Sequence, residues 1–165
     1  MSDPVSTITL RDVTDADLPV LFAHQDDPEA ARMAAFGSRD REAFFAHWRD
    51  NVLGNPANRK QAILVDGVVA GNVVSWGPDE ERLVGYWIGR DHWGKGVATA
   101  ALRAFLDLEP VRPLFAHVVA HNIGSIRVLE KCGFVRIRRQ TVPFEDREIE
   151  EFVYELPPAD ATPNP

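Results

Sequence analysis

The sequence predicts a single α/β domain. Three observations carry that expectation: 165 residues with 45% apolar content, strand-like and helix-like periods that alternate along the chain, and a glycine-bearing loop that joins a strand to a helix. Nine Phe and four Trp supply enough bulk for one continuous core. The domain is expected to span residues 1–156, with 157–165, which hold four prolines, as a disordered tail.

Thr7-Ile8-Thr9-Leu10-Arg11 alternates as a half-buried strand, and Thr14 to Asp17 then cap a helix through Leu18, Leu21 and Phe22. A second helical stretch runs from Pro28 to Ala34. A third begins at Ser38-Arg39-Asp40 and places Phe44, Phe45, Trp48 and Val52 at helical spacing, until Gly54-Asn55-Pro56 stops it. Gln61 to Val65 and Val68 to Trp76 flank Asp66-Gly67, the strongest hairpin signal in the chain. Arg82 to Gly89 is the next strand. Ala98, Ala101, Leu102, Phe105 and Leu106 form one face of a helix that ends before Pro110 and Pro113. Leu114 to Ala120 reads as a buried strand, and Asn122 caps a helix with Ile126, Leu129 and Cys132 inward and Gly133 leaving it in a left-handed turn. Phe134 to Arg139 and Ile149 to Leu156 are the last strands.

Composition narrows function. A formal charge of −7 and a pI near 5.2 repel a phosphate backbone, so nucleic acid is not an expected partner; the same acidity suits a cationic acceptor. No apolar run approaches the roughly 20 residues needed to span a bilayer, and the expectation is a cytoplasmic protein without a membrane partner. Cys132 is the only cysteine, which excludes an intrachain disulfide and a thiolate cage, and no metal is expected.

The chemistry concentrates between Tyr86 and Thr99, where a strand ends in a loop that opens a helix. Backbone N–H groups at a helix start lack intrahelical partners and sit at the positive end of the dipole, so they donate to phosphate oxygens. Gly94 and Gly96 let that backbone approach a pyrophosphate, and Lys95 adds charge. Two nucleotide-binding readings fail: Gly96 stands where a P-loop needs Ser or Thr for Mg²⁺, and Gly89, Gly94 and Gly96 lack the G-x-G-x-x-G spacing of a dinucleotide fold.

Trp93-Gly94-Lys95-Gly96-Val97-Ala98 matches the signature Q/R-x-x-G-x-G/A at its glycine and alanine, and the stretch from Asn122 to Phe134 fits N-x-x-S-x-R-x-x-E-K-x-G-F. On these two motifs the chain resembles the GNAT N-acetyltransferases, most closely the branch of ribosomal-protein N-terminal acetyltransferases, in which Trp commonly replaces the first Q/R. The resemblance runs from Leu10-Arg11 to Tyr154-Glu155-Leu156. It implies a mixed central sheet of six or seven strands flanked by helices, with a splayed parallel pair that admits acetyl-CoA. By the same resemblance Ile88 would bond the pantetheine arm through its backbone. Trp93, Gly94, Lys95, Gly96, Val97, Ala98 and Thr99 would hold the pyrophosphate. Asn122 and Ser125 would lie near the thioester end, and Arg127 and Lys131 would reach the adenosine phosphates or stand as solvated charges.

The implied reaction carries an acetyl group to a primary amine, on a protein N-terminus or a small molecule; a catalytically silent acyl-CoA-binding module is the alternative. A homodimer is compatible with the resemblance. Free amines are protonated near neutrality, so a base is needed. Glu81, beside Asp79 and Glu80, is the first candidate, with His117 and His121 as alternatives on one strand face. The tyrosine that many relatives use to protonate the departing thiolate is Leu129 here, which leaves Ser125, Tyr86 or solvent. Cys132 reads as a core residue and not a nucleophile. Phe36, Trp48, Trp76, Tyr86 and Trp87 are candidate walls of an acceptor pocket, Tyr86 and Trp76 foremost.

Overall fold

The computed structural model describes residues 6–36 and 39–158. The expected tail lies almost wholly outside them, as does the expected helix start at Ser38. Seven strands form one sheet: β1 Ile8–Asp12, β2 Arg59–Val65, β3 Val68–Trp76, β4 Leu83–Ile88, β5 Leu114–Val119, β6 Val135–Phe144 and β7 Arg147–Leu156, in the order β1-β2-β3-β4-β5-β7-β6. Only β4 and β5 pair in parallel. Among the described residues five α-helices flank the sheet: α1 Leu18–Gln25, α2 Pro28–Ala34, α3 Arg41–His47, α4 Val97–Leu106 and α5 Ile123–Lys131.

Local chemistry accounts for most boundaries. Asp27 and Asp40 cap α2 and α3 by accepting from the amides of Glu29 and Ala43, and the Asn122 side chain accepts from Ser125 N at 3.2 Å to start α5. Asp66 and Gly67 both take positive φ, 51° and 85°, as a two-residue hairpin whose twist matches its strands requires. Two expectations are corrected. Helix α3 widens after His47 into a π-type turn over Trp48–Leu53 that the continuous helical period does not reveal. The last hairpin is longer than the apolar pattern indicates, because its arm pairs Gln140 with Glu151, Thr141 with Glu150 and Pro143 with Glu148, leaving little alternation to read.

Each face of the sheet has its own core. On one, Val97, Ala101, Leu102 and Phe105 of α4 and Ile126 and Leu129 of α5 pack on Val73, Val84, Ala116, Val118 and Tyr154. On the other, Leu18 and Leu21 of α1, Phe44 of α3 and Trp48 cover Ala62 and Val74. The parallel pair is joined only at its start, where Leu83 stands opposite Phe115 and Phe115 N donates to Arg82 O at 2.9 Å; beyond that point the strands diverge.

A buried ion pair anchors this junction. Glu109, 1% exposed, accepts from Ser75 Oγ at 2.6 Å and from Arg82 Nε, while the rest of the Arg82 guanidinium donates to Gly77 O and Ala57 O. Burial by itself would raise the Glu109 pKa. The hydrogen bonds from Ser75, Arg82 and Val111 N outweigh it and hold the carboxyl below the ordinary glutamate value. A depressed folded-state pKa contributes stability above the unfolded-state value, and that contribution is lost as pH falls through the folded one. Glu109→Ala should therefore cost roughly 3–5 kcal/mol in urea denaturation at neutral pH, because it leaves Arg82 buried and unpaired. The difference from wild type should narrow as pH falls below the ordinary glutamate range.

Candidate active site

The divergence of β4 and β5 opens a cleft of about 510 Å³, lined by Tyr86, Trp87 and Ile88 of β4, by His92, Trp93, Gly94 and Gly96 of the following loop, by the start of α4, and by Asn122, Ser125, Arg127, Val128 and Lys131 around α5. Gly94 and Gly96 both lie in the left-handed region, with φ of 74° and 76°, and a Cβ added at either meets no atom within 4 Å. The glycines therefore serve conformation, and their open sides face free space. No side chain caps α4 at Gly96. Its first intrahelical bond from this end is Ala100 N to Gly96 O, so the amides of Val97, Ala98 and Thr99 have no partner in the helix. That cradle fits the pyrophosphate of a coenzyme A.

Trp93 acts through its side chain in a way the motif does not disclose. Its indole Nε1 donates to Ile88 O at 2.9 Å, tying the loop back to the end of β4. Gly89 is required by close approach, since a Cβ there would lie 2.6 Å from the His24 ring. Burial, and next the nearby His92, lower the His24 pKa and keep that imidazole neutral behind the loop.

At the inner end of the cleft, Tyr86 Oη lies 2.7 Å from Ser125 Oγ and 3.3 Å from Ser125 O. Asn122 supplies the helix cap, so the Ser125 hydroxyl is free for this contact. Burial drives the Tyr86 phenol far above its ordinary pKa, against the Ser125 hydrogen bond, and the phenol stays protonated.

The structure thus brings together Ile88, Trp93, Gly94, Gly96, Val97, Ala98, Thr99, Asn122, Ser125, Arg127, Lys131 and Tyr86. Lys95 is not among the lining residues. Nor is Glu81, an exposed turn residue that precedes β4 at the closed end of the strand pair. His121 does not share a strand face with His117, because β5 ends at Val119; its Nε2 instead meets Arg32 O at 3.0 Å. Leu129, 1% exposed, belongs to the core with Phe105 and Phe134. Trp48 is a core residue, and Phe36 packs edge-on against Trp87 at 5.9 Å.

Sequence reasoning missed the wall that α2 gives the cleft through Ala30, Met33 and Ala34. Helix α2 is held across the opening by Arg90 Nε to Asp27 Oδ2 at 3.0 Å and by the contact between His121 and Arg32. These pairs join residues 63 and 89 positions apart, and no local pattern announces them.

A family model described as "Acetyltransferase (GNAT) domain" matches residues 7–135. The probable N-acetyltransferase YjcK of Bacillus subtilis (strain 168) is 37% identical over 59 residues, which cover 33% of each protein, so the match spans about a third of that relative's length. Among solved structures, a GNAT-family acetyltransferase from Bacillus anthracis superposes with a TM-score of 0.76 at 17% identity, over 90% of this chain and 93% of that one. RimL, a ribosomal L7/L12 alpha-N-protein acetyltransferase in complex with coenzyme A, gives 0.78 at 18% identity, over 92% and 95%. The aminoglycoside acetyltransferase AAC(6')-Ib with ribostamycin and coenzyme A gives 0.70 at 20% identity, over 90% and 93%. At these identities the superpositions establish the shared fold.

The loop geometry yields two expectations for coenzyme A binding by calorimetry. Gly96→Val forces a β-branched residue to positive φ and narrows the cradle, so affinity should fall tenfold or more while circular dichroism shows the fold retained. Trp93→Phe keeps the ring but loses the bond to Ile88 O, and a smaller loss of roughly three- to tenfold is expected.

Proposed function

The chain belongs to the GNAT acetyltransferase family, and from that membership we propose that it transfers an acetyl group from acetyl-CoA to a primary amine by direct attack within one cleft. The observation that carries this reading is a single opening that holds both the uncapped start of α4 and the Ser125 hydroxyl. Phosphates bind at one end of such a cleft and a thioester reaches the other. Bound acetyl-CoA supplies the activated acyl group and a thiolate leaving group. The amides of Val97, Ala98 and Thr99, with Gly94 and Gly96, take the pyrophosphate, and Arg127 and Lys131 add positive charge at the mouth.

Ser125 is the proton donor this reading assigns to the departing sulfur. A serine hydroxyl is a weak acid, and the phenol of Tyr86 at 2.7 Å strengthens it by donating to Oγ as the serine proton leaves. Tyr86 itself remains protonated and acts as the positioning group. Acceptors with a free α-amino group or a small-molecule amine suit the negative charge of the chain, and both kinds occur among the similar structures. Release of free thiol across a panel of primary amines tests the function and sorts the acceptor class at once. Acetyl-CoA binding without thiol release for any amine would make the protein an acyl-CoA-binding module instead.

Removing a group that helps mainly in the transition state lowers turnover more than affinity. Ser125→Ala should reduce turnover roughly ten- to a hundredfold, toward the low end for general-acid help, with acetyl-CoA affinity changed less than about threefold. Its thermal stability should stay close to wild type, because Asn122 supplies the cap. Leu129→Tyr, which restores the family's usual acid, should instead destabilise by about 1–3 kcal/mol, since the ring must enter a filled core.

A further inference from the structure

The acceptor's proton needs a destination, and Glu81 is not among the residues that line the cleft. The face of the sheet opposite α4 and α5 carries a group placed to do so. We propose that the amine is received on this face beside Trp76 and deprotonated by His117, whose tautomer Glu151 fixes; the inference rests on the acetyltransferase reading.

Register places the group. Leu83 pairs with Phe115 in the parallel pair, so two residues further on Gly85 and His117 stand level, where the strands begin to part and one residue before Tyr86. His117 points away from the α4 core, since its neighbours Ala116 and Val118 point into it. The Trp76 ring lies over Gly85, 3.2 Å from where a Cβ would stand, and Trp76 is 40% exposed. A side chain at position 85 would displace the ring. An aromatic face and an imidazole therefore flank the start of the gap between β4 and β5 on this face of the sheet.

The His117 ring is held in one orientation. Its Nδ1 lies 3.2 Å from Glu151 Oε1, and Gln140 Nε2 donates to the same oxygen at 2.8 Å. A carboxylate only accepts, so Nδ1 carries the hydrogen, and in the neutral ring the lone pair is on Nε2. The His117 side chain is 39% exposed and that of Glu151 only 16%, so the anchor is sheltered and the base is accessible. By register the charged groups on this face around His117 are Glu151 and Glu155 of β7 and Arg138 of β6; β3 and β4 present only uncharged residues here, Asn72, Val74 and Trp76 on one and Leu83, Gly85 and Trp87 on the other. Two carboxylates against one guanidinium favour an ammonium ion, and the exposed indole face adds a cation–π contact.

In the step itself, an ammonium proton passes to His117 Nε2 and the freed amine nitrogen attacks the thioester carbonyl carbon. The C–N bond forms as the C–S bond breaks. The thiolate takes a proton from Ser125 or solvent, the positively charged nitrogen of the new C–N bond sheds its second proton to solvent, which restores the Ser125 hydroxyl where that was the donor, and His117 returns the first proton to solvent.

The test begins without turnover. In ¹⁵N NMR of the full chain, with the His117 signal assigned by its loss in His117→Gln, Nε2 should be the unprotonated nitrogen, and Glu151→Gln should remove that bias. Glycinamide, as a minimal primary amine, should shift the His117 Nε2 and Trp76 indole signals, and Trp76→Ala should weaken its binding severalfold. In turnover at pH 7, His117→Gln should lose roughly ten- to a hundredfold with acetyl-CoA affinity unchanged by calorimetry, because only about a tenth of an α-amino group of pKa near 8 is then neutral. The deficit should shrink below about threefold as pH passes that value, a rescue that a purely structural role for His117 would not show. A proton on Nε2, no response to glycinamide, or unchanged turnover in His117→Gln would overturn the assignment. Failure of the wild type to bind acetyl-CoA would strike the transferase reading instead, while the NMR results still decide the amine site.

Discussion

The parting of β4 from β5 is the constraint on which the rest of the structure depends. Two parallel strands held along their length would close the sheet and leave no passage through it. Here they share one paired position, Leu83 with Phe115, and the backbone bond from Phe115 N to Arg82 O. The buried Arg82–Glu109 pair sits at this junction, with Ser75 and the carbonyls of Gly77 and Ala57 saturating its donors and acceptors. Such a pair contributes little net stability over an apolar replacement, yet it is costly to break. It gives the closed end of the V one geometry, and the open end follows from it.

What the open end can hold is decided by backbone more than by side chains. The start of α4 has no side-chain cap, an omission that would be a defect in an ordinary helix. Two left-handed glycines turn the chain so that the open amides face the cleft, and the Trp93 bond to Ile88 O holds that turn against β4. Because the open donors are main-chain groups, Trp at the first position of the motif leaves them in place. The side chain there is free to serve as a staple.

Within the cleft, burial sorts the proton-bearing groups by role. Burial holds the Tyr86 phenol well above its ordinary pKa, so it stays protonated beside the Ser125 hydroxyl. Leu129, where the resemblance implies a tyrosine, turns into the core beside Phe105 and Phe134, and the Tyr86–Ser125 pair occupies the inner end of the cleft. Helix α2 closes the remaining side through Ala30, Met33 and Ala34, small or flexible residues that leave width for a ligand.

Local sequence determined what local physics can specify. The Asp66-Gly67 turn, the Asn122 cap, the Gly133 exit and the glycine loop before α4 were all legible, because each needs a particular residue type at a particular backbone geometry. The order of strands and helices followed from period. The last hairpin's full length was not legible, since charged pairs across two strands leave no alternation in either. Likewise, placing Glu81, His117 and His121 relative to the cleft required knowing which end of β4 faces it and where β5 stops. Those facts depend on register between strands about thirty residues apart. The contacts of Arg90 with Asp27, His121 with Arg32 and Tyr86 with Ser125 lie beyond the sequence for the same reason: side-chain partners distant along the chain are chosen by packing, and packing exists only once the sheet has formed.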